Sequence, residues 1–209
     1  YLTTLAILSA ATAGVAGYRL WRGPTLSASL AGLYALGATV PPLLVLILTY
    51  LRVTQFDASV PFALFGVLLA GGYVWIAERF LARENILPLP GIRLATGAFA
   101  AAAISALGFA LVAFLSRGYM TVAFALMALG TAYVSTLRDI PLLRPAVAAI
   151  GFVVLGRIAW DPVIMGADVG RFPIFNWLLL GYGVPAAAFA MAGRLLETRQ
   201  IDLAQRLAD

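Results

Sequence analysis

The chain alternates long apolar runs with short polar breaks, and the alternation repeats seven times. The runs cover about residues 2–18, 26–51, 60–80, 94–116, 119–137, 142–160 and 173–196. A hydrocarbon layer about 30 Å thick needs about 20 mostly apolar residues in a helix. Barrel strands need only about 9–11 residues with strict alternation, which these runs lack. In lipid every backbone N–H and C=O must be bonded internally, and a helix does this within one segment. The pattern predicts an all-α fold, a polytopic transmembrane helical bundle of about seven spans. One helical domain would cover 1–196. Residues 197–209, where Ile201, Leu203 and Leu207 mix with Arg199, Asp202 and Arg206, read as an amphipathic cytoplasmic tail. No repeat or linker suggests a second domain.

The charges add an orientation. All fourteen cations are arginine. Ten follow odd-numbered runs: Arg19, Arg22, Arg79, Arg83, Arg93, Arg138, Arg144, Arg194, Arg199 and Arg206. Four fall on the other side: Arg52, Arg117, Arg157 and Arg171. Cytoplasmic loops carry the excess of Lys and Arg, which puts the N-terminus outside and the C-terminus inside. Trp21, Trp75 and Tyr133 then lie near inner ends, and Tyr50, Tyr119, Trp160, Phe172 and Trp177 near outer ends, as headgroup-level rings should. The chain begins at Tyr1 and is apolar at once, without the basic stretch of a signal peptide. It reads as a piece of a longer protein, whose further transmembrane helices would be its partners.

Composition narrows the chemistry. The 209 residues are 63% hydrophobic and 11% charged, with a mean hydropathy of +0.98. A soluble domain carries about a quarter charged residues. There is no Cys, His or Lys. These residues therefore supply no thiolate, no imidazole for haem or zinc, and no Schiff-base amine. No phosphate-binding loop or nucleophile elbow is present, so an enzyme is the last expectation, and no cofactor or metal is expected. The net charge of +5 is spread over the ends of runs and forms no basic face, so nucleic acid is not an expected partner.

The densest polar cluster lies between positions 157 and 185. Arg157 precedes Asp161 by four residues, one helical turn inside the outer border, where the two can pair. An ionisable group at such depth either marks a site or snorkels to the headgroups and serves folding alone. Asn176 can bridge helices or contact a ligand, and Tyr182, between two glycines, can donate to a ligand or a carbonyl. With Arg171 nearby, these residues would line an outward-facing polar cleft for an anionic or lipid-linked molecule, with Arg157 as the anion partner. Asp57, Asp161 and Asp168 read as solvated loop residues. Glu78 and Glu84 read as balancing Arg79 and Arg83 locally.

Proline marks a second possibility. Pro41 and Pro42 leave the carbonyls of Gly37 and Ala38 without partners, and Pro185 does the same for Gly181. Two helices broken in this way would suit a transporter segment with exposed backbone at mid-membrane. A third possibility is a scaffold subunit without ligand. Small residues four apart, Gly97 with Ala101, Ala102 with Ala106 and Ala186 with Ala190, would let helices approach closely.

The stretch Arg157-Ile158-Ala159-Trp160-Asp161-Pro162, followed by Pro173-Ile174-Phe175-Asn176-Trp177-Leu178-Leu179 and Gly181-Tyr182-Gly183-Val184-Pro185-Ala186, resembles the DUF2339 family of large bacterial multi-pass membrane proteins. The informative motif covers about thirty residues. The resemblance implies a bacterial inner-membrane location and membrane lipid as a partner. It implies no catalytic residue.

Overall fold

The structure is a computed structural model. It describes residues 1–23, 27–55, 57–86, 88–115, 117–137, 140, 142–160 and 179–208. Among them are seven α-helices: α1 (Leu2–Arg22), α2 (Ala28–Thr54), α3 (Val60–Glu84), α4 (Pro90–Phe114), α5 (Arg117–Leu137), α6 (Leu143–Trp160) and α7 (Val184–Ala208). A π-helical turn, Leu179–Gly183, leads into α7. No strand occurs among the described residues. Five helices are long and apolar enough to cross a membrane: α2, α3, α4, Tyr119–Leu137 within α5, and α6. The described part of α1 is diluted by Thr3, Thr4, Ser9 and Thr12 and ends in Arg19 and Arg22. The apolar start of α7 runs on, without a break in the helix, into the charged residues after Gly193.

The chain divides into two compact units, Tyr1–Phe114 and Leu115–Asp209. Nothing in the hydropathy pattern marks that boundary, which falls in a connection no longer than the others.

In the first unit the buried positions of α3 are Ala63, Gly66, Ala70, Tyr73, Ala77 and Phe80. Those of α4 include Ile92, Ala95, Phe99, Ala102, Ala106, Phe109 and Ala113. Both series step by three and four, the heptad spacing that keeps one seam of a helix against its neighbour. The two helices run antiparallel: the Ser59 N–H donates to the Ala113 carbonyl at 2.7 Å at one end, and Arg93 meets Glu84 at 3.8 Å at the other. A further buried row on α4, Thr96, Ala103 and Ala110, allows α4 to pack against α2 as well, and α1 packs on α2.

This arrangement is inverted relative to a soluble bundle. Alanine makes up most of the buried apolar residues, while large apolar side chains point outward. On α3, Ala70 is 2% exposed and its near neighbour Leu68 is 70% exposed. A soluble helix would bury the leucine. Lipid removes the reason to hide large apolar groups, so helices associate through small residues that let backbones approach. Of the small pairs expected from sequence, Ala102 and Ala106 are buried in this seam. The pair Ala186 and Ala190 is exposed; the buried alanines of α7 are Ala188 and Ala192, on the face that Pro185 shares.

The expected break at Pro41 and Pro42 does not occur. Helix α2 is continuous from Ala28 to Thr54 with both prolines inside. Hydroxyls engage carbonyls beside the prolines: Thr39 donates to Ala35 O at 2.8 Å, and Tyr73 of α3 donates to Thr39 O at 2.7 Å. At Pro185 the backbone does change, because the π turn immediately precedes it. The wider turn eases the clash between a proline ring and the carbonyl four residues back.

In the second unit α5 is the central helix, packed against α6, α7 and the π turn. Its buried row is Thr121, Ala125, Ala128, Ala132 and Ser135, and that of α6 is Leu143, Val147, Ile150 and Val154. These again have heptad spacing.

Candidate functional site

The cleft expected from sequence is described only at its edges. Arg157 lies three residues before the end of α6 and is half-buried; Tyr182 lies in the π turn and is also half-buried. Asp161, Arg171 and Asn176, with Asp168, fall outside the described residues, as does most of the motif that resembles DUF2339.

The first unit contains a different feature, a groove of about 710 Å³ between α1 and α3. That volume falls within the range of about 300–1,000 Å³ typical of small-molecule sites. Its origin is topological. Helix α1 rests on α2 and α3 rests on α4, so α1 and α3 face each other across a gap. On the α1 wall stand Ala13, Gly14, Gly17 and Tyr18. A Cβ added at Gly14 or Gly17 would meet nothing within 4 Å. Both positions therefore have room for a side chain beside the groove. Ala38 and Pro42 of α2 and Phe99 of α4 form its floor, and Tyr73, Ile76, Arg79 and Phe80 form the α3 wall.

One end is closed by a contact between α1 and α3. The Arg83 guanidinium donates to the Trp21 carbonyl at 2.6 Å and lies 4.8 Å from the centre of the Trp21 ring. Trp21 also meets Phe80 edge-on at 5.7 Å. Phe80 stacks on Phe99 at 5.7 Å, and Phe99 lies 6.0 Å from Tyr73. Four rings from three helices thus run along the base. Edge-on and offset stacked pairs at these distances add about 0.5–1.5 kcal/mol each beyond burial.

Charge is concentrated at the same end. Arg19 and Arg22 end α1, Arg79 and Arg83 end α3, and Arg93 begins α4. The Arg83–Trp21 and Glu84–Arg93 contacts bring these three helix ends together. The opposite end of the unit holds Arg52 alone among its arginines. Local balancing was expected of Glu78 and Glu84; of the two, Glu84 pairs across to Arg93 and accepts from the Thr96 hydroxyl at 3.3 Å. Arg79 lies over Trp75, 5.1 Å from the ring centre, and Arg22 over Tyr18 at 5.5 Å. Each is an aromatic–arginine pair one turn apart; Trp75, Arg79 and Tyr18 line the groove, and Arg22 does not.

The lining offers little chemistry. It holds no carboxylate and no nucleophile beyond two tyrosines, and Tyr73 has its hydroxyl turned to Thr39 O. No group of three metal-ligating side chains exists among the described residues. The groove is suited to hold an apolar body with a polar tip near the arginines. Sequence reasoning missed it because it attached meaning to the prolines and the polar cluster. The available signal was the run of small residues at 13, 14, 16 and 17 followed by Tyr18, Trp21 and Arg22.

The class defined by these features is a multi-pass helical membrane protein with small-residue packing. No family model, curated protein or solved structure matches the chain.

Proposed function

We propose that this chain is a non-catalytic binding module of a bacterial inner-membrane protein, and that the α1–α3 groove takes the hydrocarbon chain of an amphipathic molecule from the bilayer. The observation that carries this reading is the groove itself: largely apolar, open between two helices, and lined on the α1 side by Gly14 and Gly17 with open space at both. A path for a hydrophilic solute would need polar lining through its depth, and here the floor is Ala38, Pro42 and Phe99. The inverted packing supports a bilayer around both units, with α1 and the seventh run as additional spans. The positive-inside rule places the arginine-rich end of the first unit in the cytoplasm. The resemblance to DUF2339 supports the bacterial inner membrane. The polar cluster around Arg157 remains a proposed second contact for an anionic molecule, motivated by its ionisable group at membrane depth.

The test is Gly17→Leu, with Gly14→Leu beside it. A Cβ at either position meets nothing within 4 Å, so the fold should survive while the leucine occupies space at the groove these glycines line. Native mass spectrometry in mild detergent should show lipid retained by the wild type and lost from both variants. Equal lipid retention by wild type and variants would refute the groove as the binding place.

A further inference from the structure

We propose that the groove selects an anionic phospholipid, with the headgroup held between Arg22 and Arg79. This rests on the reading that the groove holds a hydrocarbon chain, and adds which headgroup accompanies it. The first observation is placement. Arg79 lines the α3 wall, and Arg22 lies over Tyr18, which lines the α1 wall. Arg79 therefore stands at the groove itself, and Arg22, which does not line it, stands against a ring that does. The second is orientation. Each is held against a ring, Arg22 on Tyr18 at 5.5 Å and Arg79 on Trp75 at 5.1 Å. A guanidinium stacked through its face keeps its edge N–H donors for planar recognition of phosphate oxygens.

The third is charge. Arg19, Arg22, Arg79, Arg83 and Arg93 share this end with two carboxylates, Glu78 and Glu84. Neither carboxylate lines the groove, and Glu84 is engaged by Arg93 and Thr96. Arg83 is committed to Trp21. This end therefore carries five arginines against two carboxylates, and the groove lining itself holds Arg79 and no carboxylate. Basic pockets between membrane helices on the cytoplasmic side bind anionic headgroups on this principle.

The experiment compares phosphatidylglycerol with phosphatidylcholine of the same chain length, titrated against the whole chain by native mass spectrometry. The wild type should bind phosphatidylglycerol at least about tenfold tighter, a ratio equal to about 1.4 kcal/mol, because both lipids offer a phosphate but the choline ammonium of phosphatidylcholine cancels its net charge and is repelled by the arginines. In the Arg22→Gln, Arg79→Gln double variant the preference should fall toward one, with phosphatidylglycerol binding weakened more than phosphatidylcholine binding. Gly17→Leu should lose both lipids. Equal binding of the two lipids by the wild type overturns the proposal and leaves the chain-binding reading intact. Undiminished binding to Gly17→Leu overturns both. Displacement of bound lipid by free glycerol phosphate would assign the site to a soluble anion. A dimer that disappears in Gly17→Leu would assign the groove to a second copy. The wild-type comparison stands whether or not the double variant folds. Arg79→Lys, which keeps charge and loses the planar fork, should weaken the preference without abolishing it.

Discussion

Gly66→Ala tests whether backbone proximity holds α3 on α4. An added Cβ at Gly66 would lie 3.0 Å from the Ala110 Cβ, 3.0 Å from Phe109 Cδ1 and 3.2 Å from the Ala106 carbonyl oxygen. Favourable carbon–carbon contacts lie at about 3.5–4.0 Å. The phenylalanine ring can tilt, but an alanine Cβ and a carbonyl oxygen move only with their helix. The helices must therefore separate at the seam, and overpacking of this kind costs about 1–3 kcal/mol. Alanine also favours helix by about 1 kcal/mol relative to glycine, which would partly hide the cost. Gly72→Ala, on the same helix with nothing within 4 Å of its added Cβ, carries the same propensity gain and no clash. The difference between the two variants isolates the seam. Equilibrium unfolding in mixed micelles with increasing dodecyl sulfate should place Gly66→Ala about 1–3 kcal/mol below Gly72→Ala. Equal stability, or a more stable Gly66→Ala, would show that α3 and α4 do not meet as closely as described.

Further outcomes follow from single hydrogen bonds and from charge. Tyr73→Phe removes the buried bond to Thr39 O beside the prolines and should cost about 0.6–1.5 kcal/mol in the same unfolding assay, within the range for polar contacts between membrane helices. Thr121, fully buried on α5, has no hydrogen-bond partner for its hydroxyl among the described residues, so Thr121→Val should stabilise the chain by about 1 kcal/mol; a loss of stability would reveal a hidden partner. A reporter fused after Asp209 should respond as cytoplasmic, and an external signal would reverse the proposed orientation.

The helices were legible in the sequence because their apolar runs are long and their breaks carry Gly, Pro or Arg. The faces were harder to read. Where nearly every position is apolar, hydrophobicity does not separate lipid-facing from buried positions, and only residue size does. That is why Ala186 and Ala190 were as plausible a contact as Ala188 and Ala192. The groove was hidden for a different reason. It depends on which helices pair, and on a contact between Trp21 and Arg83 that are 62 residues apart. Pro41 and Pro42 misled because a proline removes an intrahelical bond without dictating that the helix stop. Here the surrounding helices, with Tyr73 among them, hold α2 straight through as helix.

The seam between α3 and α4 has a mechanical consequence. Alanine knobs rise one methyl group above the backbone, so the surface they make is almost smooth along its axis. Sliding one helix past the other by a turn, about 5.4 Å, would set methyl against methyl again at little cost. The axial setting is instead kept by the bulkier members, Tyr73, Phe80, Phe99 and Phe109, which act as detents on a shallow rail, and by the Ser59–Ala113 and Arg93–Glu84 contacts at its two ends. The same helix pair is therefore held against separation along its whole length and against translation at a few points, four rings and two end contacts.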